Sequence, residues 1–236
     1  MSGRVDVAVQ TPAHSALGDL LSYESPLPLA PGTLVRVPLG SREVLGVVWE
    51  AAPEAQREPA GAAALTLKPV AAALDSIAPL GDAWRNLVAF AARYYQRSLG
   101  EVALAALPPQ LRDLSSVQLA RRLKRKATAR ADVASDDAVD SMALSEEQTR
   151  ALARFGTETG PFLLFGSTGS GKTEVYLRAV AELLARDATA QALVMVPEIN
   201  LTPQLEARFK ARFGAEAVVS LHSGMTNPQR LASWLA

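Results

Sequence analysis

The 236-residue sequence predicts a mixed α/β protein, with a small β-barrel-like domain and helices first and part of a parallel α/β lobe after it. Short β-rich runs punctuated by Pro and Gly occupy residues 1 to about 75, and two helix-periodic segments follow them. After residue 160, short apolar runs alternate with helical patterns. Such alternation is typical of a parallel sheet covered by helices, so we expect two different architectures in one chain.

The first strands are predicted by side-chain alternation and turn residues. Val5, Val7 and Val9 alternate with polar neighbours, as in a half-buried strand. Residues 34–38 and 44–50 are β-rich and flank a five-residue connection, 39–43, which predicts a hairpin. Residues 65–70 are predicted to be a last short strand.

Helical periodicity follows the β-rich region. Residues 82–97 and 100–107 are predicted to be helices, the second ending at a Pro-Pro pair. In the first helix the apolar positions, which we expect to pack in a core, are Trp84, Leu87, Val88, Ala91, Tyr94 and Tyr95.

Charge is distributed unevenly although the formal net charge is zero. Residues 112–130 carry 7 basic and 1 acidic side chains, whereas residues 131–150 carry 1 basic and 6 acidic ones. This pattern predicts a basic helix around 118–126 followed by an acidic linker at 131–141, with solvated linker and phosphate-binding helix as open alternatives.

Composition excludes several classes of site. The chain has no cysteine and 2 histidines, which excludes disulfides, cysteine-ligated metals and a histidine-rich metal site within it. No apolar run is long enough to span a membrane and no signal-peptide pattern is present, so we expect no membrane association and a cytoplasmic location.

Residues 166–173 fit the pattern G-x-x-x-x-G-K-[ST] of a phosphate loop. Glycines allow backbone N–H groups to surround phosphate oxygens, Lys172 would reach the β and γ phosphates of ATP, and the Thr173 hydroxyl would hold Mg²⁺. An apolar run at 162–165 precedes the loop and a helical stripe follows it, which is the required strand–loop–helix context. The predicted nucleotide-binding residues of the loop are Gly166, Ser167, Thr168, Gly169, Ser170, Gly171, Lys172 and Thr173.

Further elements surround this loop. Ser145 followed by Gln148 predicts a helix capping box. Residues 192–196 and 218–221 are apolar and predicted to be two more parallel strands. Because ligands bind at the carboxyl ends of strands in open parallel sheets, the residues after them, including His222, are candidate contacts.

Residues 29–40, 65–70, 84–95 and 99–102 resemble the 3′-end DNA-binding domain of the PriA replication-restart helicase family. The resemblance implies capture of the 3′ end of a nascent strand at a fork, with Tyr23, Gly40 and Lys68 at the DNA-binding pocket. An ordinary surface lysine is the alternative for Lys68.

One position departs from the family pattern. The family's Phe-Asp-Tyr signature reads Leu21-Ser22-Tyr23, so the acidic residue that would bond the terminal 3′-hydroxyl is missing at that place. Asp19 is nearby in sequence but at the wrong offset.

The second half resembles the motor of superfamily 2 helicases of the same family, through the phosphate loop and the string at 197–204. The resemblance implies that Gln148 contacts adenine, that Glu198 and Thr202 in motif Ia bind single-stranded DNA, and that His222 and Ser223 in motif Ib do so too. It also implies 3′-to-5′ unwinding by ATP hydrolysis, replication restart by primosome assembly, and contacts with primosome proteins and single-strand-binding protein. Zinc is expected only in a part of the family protein that this chain lacks.

These interpretations predict three parts: a 3′-end DNA-binding domain at 1–109, a basic helix and acidic linker at 110–143 in place of a winged-helix module, and an incomplete RecA-like ATP-binding lobe at 144–236. We expect the N-terminal part of a PriA-like helicase, which binds DNA but lacks groups needed for ATP hydrolysis. A DNA-binding module with a vestigial nucleotide site is the alternative. A small-molecule kinase is disfavoured by the strings at 197–204 and 221–224.

Overall fold

The computed structural model describes residues 3–12, 17–50, 66–130, 143–187, 189–197 and 202–236. The chain forms two compact units, one from residues 1–131 together with Ser223–Ala236 and one from residues 132–222. Across the described ranges, no helix is both long and apolar enough to cross a membrane.

The first unit is built on an antiparallel sheet of order β2-β1-β4-β3-β5. Its strands are β1 (Gly3–Val9), β2 (Leu20–Ser25), β3 (Leu34–Leu39), β4 (Arg42–Trp49) and β5 (Ala72–Ala73). The predicted hairpin is confirmed as β3 and β4, but the chain turns within Gly40 and Ser41 alone because the strands extend further than expected.

The segment after residue 66 closes this sheet towards a barrel. Glu24 N donates to Lys68 O at 3.0 Å and Val70 N donates to Glu24 O at 2.8 Å, so the segment lies along β2. It then continues as β5, which pairs with β3 at the other end of the sheet. The strand predicted at 65–70 is therefore wrong as a ladder: among the described residues of this segment, only a single parallel bridge between Pro69 and Glu24 is formed.

Side-chain alternation separates two cores. One face of the strands encloses the barrel interior, whose buried residues are Val7, Val9, Tyr23, Val35, Val37 and Val48. The opposite face carries Leu34, Leu45 and Val47 into a second cluster with the helices. Because successive residues of a strand point to opposite faces, both faces of β3 and β4 are buried.

Helices cover the outer face of the barrel. They are α1 (Asp82–Tyr95), α2 (Leu99–Ala105), a 3-10 helix (Pro109–Arg112), α3 (Ser116–Arg130) and α7 (Asn227–Trp234). The predicted helices at 82–97, 100–107 and 118–126 are thus confirmed, with shifted ends. Leu231 of α7 is fully buried in the outer cluster, which explains why the last residues belong to the first unit.

Two buried arginines tie these layers together. Arg36 of β3 donates to the carbonyl oxygens of Leu111 (2.9 Å), Leu114 (2.8 Å) and Arg112, and so holds the connection between the 3-10 helix and α3. Arg85 of α1 donates to Glu50 at 3.0 Å. These contacts satisfy cations that would otherwise be costly to bury.

The core prediction for α1 is wrong in part. Val88 is buried and Trp84 packs against the outer cluster, but Leu87, Tyr94 and Tyr95 are 64%, 69% and 69% exposed. The helix buries only one stripe against the sheet, and these residues lie outside that stripe.

The second unit contains α4 (Glu146–Thr157), α5 (Lys172–Arg186), α6 (Thr202–Phe213) and a 3-10 helix (Ala215–Ala217). The capping box at Ser145 and Gln148 is confirmed at the start of α4. Leu152 of α4 and Val175 and Leu177 of α5 are buried, and rings of Phe155 and Phe162 lie 4.9 Å apart.

The structure corrects the three strands predicted for this unit. Residues 162–165, 192–196 and 218–221 form no strand in the described part of the chain, and Leu163, Phe165 and Leu193 are 91%, 93% and 87% exposed. An apolar run becomes a strand only where a neighbouring segment supplies its backbone hydrogen bonds. Here the three runs do not pair with one another, so they stay outside a ladder.

Candidate nucleic-acid and nucleotide sites

One end of the barrel carries the predicted DNA-end residues Gly40 and Lys68. Gly40 occupies the tip of the β3–β4 hairpin with φ 62°, and no atom lies within 4 Å of a Cβ built on it. Lys68 comes from the closing segment, and its Nζ donates to Gly40 O at 3.5 Å. The exposed ammonium group therefore lies beside an open backbone turn, an arrangement that can receive a phosphate.

Tyr23 reaches the same end from β2. Its ring is buried in the barrel interior, and its hydroxyl donates to Pro38 O at 3.1 Å, two residues before Gly40. Burial raises the pKa of this hydroxyl above its ordinary value, so it remains a neutral donor at physiological pH. The fold thus brings the three sequence-predicted pocket residues to one hairpin, although Tyr23 presents little free surface.

A carboxylate lies beside Ser22, the position where the sequence lacks an acidic residue. Ser22 is paired with Asp6 across β1 and β2, and its hydroxyl donates to Asp6 Oδ1 at 2.6 Å. Arg4 Nη2 donates to Ser22 Oγ at 2.7 Å. Asp19 is engaged elsewhere, since it accepts from Leu99 N at 3.2 Å. Asp6 could not be identified from the sequence, because only the register between β1 and β2 places it opposite Ser22.

The exposed side of α1 forms a separate aromatic surface. Phe90 and Tyr94 stack with ring centroids 5.7 Å apart, and Tyr94 and Tyr95 meet edge to face at 5.0 Å. Arg93 is exposed on the same helix. The sequence showed these aromatic residues, but helical spacing alone pointed to burial.

The phosphate loop precedes α5 as predicted. Gly169 and Gly171 have φ values of 83° and 79°, the left-handed region that favours glycine. Lys172 Nζ donates to the carbonyl oxygens of Gly166 and Ser167, each at 2.7 Å. The lysine side chain therefore folds back onto its own loop. Its ammonium group donates to two carbonyl oxygens whose place phosphate oxygens would take.

Helix α5 begins at Lys172, directly after the loop, so Thr173 lies in its first turn. The first N–H groups of this helix lack partners within the helix and carry partial positive charge. This cradle fits a triphosphate, and the half-buried Thr173 hydroxyl is a Mg²⁺ ligand type. The described residues contain no cluster of acidic and histidine side chains that could itself hold a metal.

Gln148 links α4 to the phosphate loop. Its Oε1 accepts from Ser145 N at 2.9 Å, and its Nε2 donates to Ser170 O at 3.2 Å. A Cβ built on Gly171 would lie 2.2 Å from Nε2, so the glycine makes room for this contact. The adenine contact predicted for Gln148 stays a prediction; its amide is placed at the loop.

The remaining predicted DNA contacts are only partly described. Glu198 lies outside the described residues, and Thr202 is the first residue of α6. His222 is half-buried and Ser223 is exposed in the turn before α7. The acidic linker predicted at 131–141 also lies outside the described residues.

Comparison with known proteins gives two family matches. A family model of the PriA 3′DNA-binding domain (3′BD) matches residues 6–108. A model of the DEAD/DEAH box helicases matches residues 145–235.

Individual relatives agree with these matches. Replication restart protein PriA of Treponema pallidum is 34% identical over 207 residues, which is 86% of this chain and 29% of that protein. The protein of the same name from Rickettsia felis is 33% identical over 214 residues, 90% of this chain and 29% of that protein. That of Bacillus subtilis is 49% identical over 73 residues, 31% of this chain and 9% of that protein.

The fold and its sites define a class: a barrel-like DNA-binding domain joined to a helicase segment with a phosphate loop. Within that class, the chain belongs to the PriA family, and it fits the N-terminal part of its relatives. It spans about 29% of the length of the first two relatives described.

Proposed function

We propose that this chain is the DNA-engaging and nucleotide-binding part of a PriA-like superfamily 2 DNA helicase. The whole protein would unwind forked DNA from 3′ to 5′ with ATP and restart stalled replication by primosome assembly. The observation that carries the proposal is the succession, in one chain, of a 3′DNA-binding match and a DEAD/DEAH box helicase match.

In this proposal the hairpin end of the barrel binds the 3′ end of the leading strand. Lys68 meets a backbone phosphate, and Gly40 allows the terminal nucleotide to approach the turn because no side chain blocks it. Ser22, whose hydroxyl is held by Asp6, takes the position of the missing acidic residue. Single-stranded DNA is bound by the residues assigned to motifs Ia and Ib, namely Glu198, Thr202, His222 and Ser223.

The phosphate loop binds ATP with Mg²⁺. Lys172, which now donates to the carbonyls of Gly166 and Ser167, would hold the β and γ phosphates, and Thr173 would ligate the metal. Gln148 contacts the adenine edge from its place beside Ser170. Single-strand-binding protein and primosome proteins are the protein partners that family membership suggests, and the cytoplasm is the compartment.

The test compares binding to a fork with a free 3′-OH leading-strand end and to the same fork blocked by a 3′-phosphate. Wild type should prefer the free end, and Lys68→Ala should weaken free-end binding about tenfold, the loss of one charge-assisted contact. Arg93→Ala, which removes an exposed cation of the same unit, is the matched control. Equal binding to both forks by wild type would refute the end-binding proposal.

A second candidate is a DNA-binding module with a vestigial nucleotide site. It is favoured by the Lys172 ammonium group, which already has two carbonyl partners, and by the run at 162–165, which joins no sheet within the described ranges. Titration with a fluorescent ATP analogue and Mg²⁺ separates the candidates. If wild type binds the analogue and Lys172→Ala does not, the helicase proposal is supported. If wild type binds the fork but not the analogue, the chain is a DNA-binding module with a vestigial nucleotide site.

A further inference from the structure

Helix α6 has charged contacts at Glu206 and Arg212, and the two contacts lead to different predicted sites. It follows the motif Ia region and runs from Thr202 to Phe213. Its apolar side is anchored by buried Phe209, whose ring lies 5.8 Å from that of Phe213. Residues 206 and 212 are six positions apart, which is about 9 Å along the helix axis.

The contact at Arg212 reaches the first turn of α5, directly after the phosphate loop. Arg212 Nη1 lies 3.5 Å from Glu174 Oε1, and Arg178 Nε lies 3.0 Å from the same oxygen. The side chains of Arg212 and Glu174 are only 15% and 21% exposed. Partial burial strengthens an ion pair compared with an exposed one. Because Glu174 directly follows Thr173 in α5, this pair ties α6 to the first turn after the phosphate loop.

The contact at Glu206 reaches Ser220, in the last residues of the second unit. Glu206 is hydrogen-bonded by Lys210 and by Ser220, and His222 lies close enough to act on its charge. The Lys210 ammonium, Ser220 and His222 together hold the pKa of Glu206 below its ordinary range. The hydrogen bond between Glu206 and Ser220 joins residue 220, two positions before His222, to α6.

We infer that Arg212 and Glu206 are positioning residues through which α6 couples the phosphate loop to the DNA-contacting segment around His222. This inference rests on the proposed function. On binding of a triphosphate with Mg²⁺, Lys172 would exchange its carbonyl partners for phosphates, which would shift the first turn of α5. The ion pair of Glu174 with Arg212 would transmit this shift to α6, and the hydrogen bond of Glu206 with Ser220 would transmit it further.

Thermodynamic linkage makes the inference measurable without hydrolysis. If single-stranded DNA changes the affinity for a nucleotide by some factor, the nucleotide changes the affinity for DNA by the same factor. Factors of about 5 to 150 are usual for allosteric coupling. The Kd of a fluorescent non-hydrolysable ATP analogue with Mg²⁺ is measured for the full chain with and without a saturating oligothymidine strand.

We expect DNA to change the analogue Kd at least about fivefold in wild type. In Arg212→Met the factor should fall towards one, while analogue binding without DNA stays near the wild-type value. Arg212→Lys should restore part of the factor because it restores the charge. Arg208→Met is the matched control, since Arg208 is an exposed arginine of the same helix. Glu206→Gln should reduce the factor from the other end of the link.

The outcomes separate the possibilities. A factor retained in both Arg212→Met and Glu206→Gln overturns the coupling role and leaves the proposed function intact. The coupling role is also overturned if wild type binds both analogue and DNA but its analogue Kd is the same with and without DNA. A wild type that binds no analogue refutes the nucleotide site, and the link with it. Far-UV circular dichroism of each variant checks that the helices are retained.

Discussion

Gly100 of α2 packs directly against the backbone of β1 at Val9, and its replacement by alanine tests this contact between helix and barrel. A Cβ at this position would lie 1.8 Å from Val9 O and 2.2 Å from Val9 C. Ordinary van der Waals contact for a Cβ begins at 3.4 Å. The obstacle is strand backbone, which cannot rotate away as a side chain would, so α2 must move off β1 by more than an ångström.

The expected change in the free energy of unfolding is the difference between two opposing effects of Gly100→Ala. Overpacking of a close interface costs about 1–3 kcal/mol, and a backbone obstacle places this site at the upper end. Alanine returns about 1 kcal/mol through its better helix propensity. We therefore expect Gly100→Ala to lower the free energy of unfolding of the first unit by about 2 kcal/mol.

Tryptophan fluorescence in urea measures this change for the first unit alone. The 3 tryptophans of the chain, Trp49, Trp84 and Trp234, all pack against its outer cluster. With a slope of about 2 kcal/mol per molar urea, the midpoint should fall by about 1 M. Gly81→Ser is the control, because a Cβ at Gly81 meets nothing within 4 Å and serine is an accepted N-cap. An unchanged midpoint in Gly100→Ala would refute the close contact.

Two further predictions concern charged side chains that form internal contacts. Arg36→Met should destabilise the first unit by about 2–4 kcal/mol in the same urea assay, because it leaves carbonyls near α3 without their donor, whereas exposed Arg42→Met should change little. For Glu206, the lowered pKa means that its stabilising contribution is fully present above the unfolded-state pKa of about 4.3 and is lost as pH falls through the folded-state pKa. Acid titration by far-UV circular dichroism should therefore show a shallower loss of helix in Glu206→Gln than in wild type, and identical curves would contradict the stabilising role of Glu206.

Much of the local structure could be predicted because its causes are local. The β3–β4 hairpin follows from alternation around a glycine turn, and the start of α4 follows from Ser145 and Gln148 three residues apart. The phosphate loop could be predicted for the same reason, because its glycines and its lysine lie within a few residues of one another. The family resemblance, carried by these short strings, was confirmed by the matches at 6–108 and 145–235.

Strand β2 shows where such reasoning stops. Leu20–Ser25 has no clear alternation in sequence, yet it pairs with β1 over six residue pairs. Pairing across strands also places Asp6 against Ser22, and closure of the barrel brings Lys68 to Gly40. The sequence named Lys68 and Gly40 by resemblance, but only the barrel accounts for their proximity.

What the sequence by itself determined was local: most of the helices, the turn between β3 and β4, and the place of the phosphate loop. The tertiary structure decided which surfaces are covered. Tyr94 has the spacing of a core residue and is exposed, whereas Leu231 of α7 is buried in the first unit. The apolar run at 162–165 forms no ladder with any described residue. Burial and pairing depend on partners distant in the chain, and a single segment carries no information about those partners.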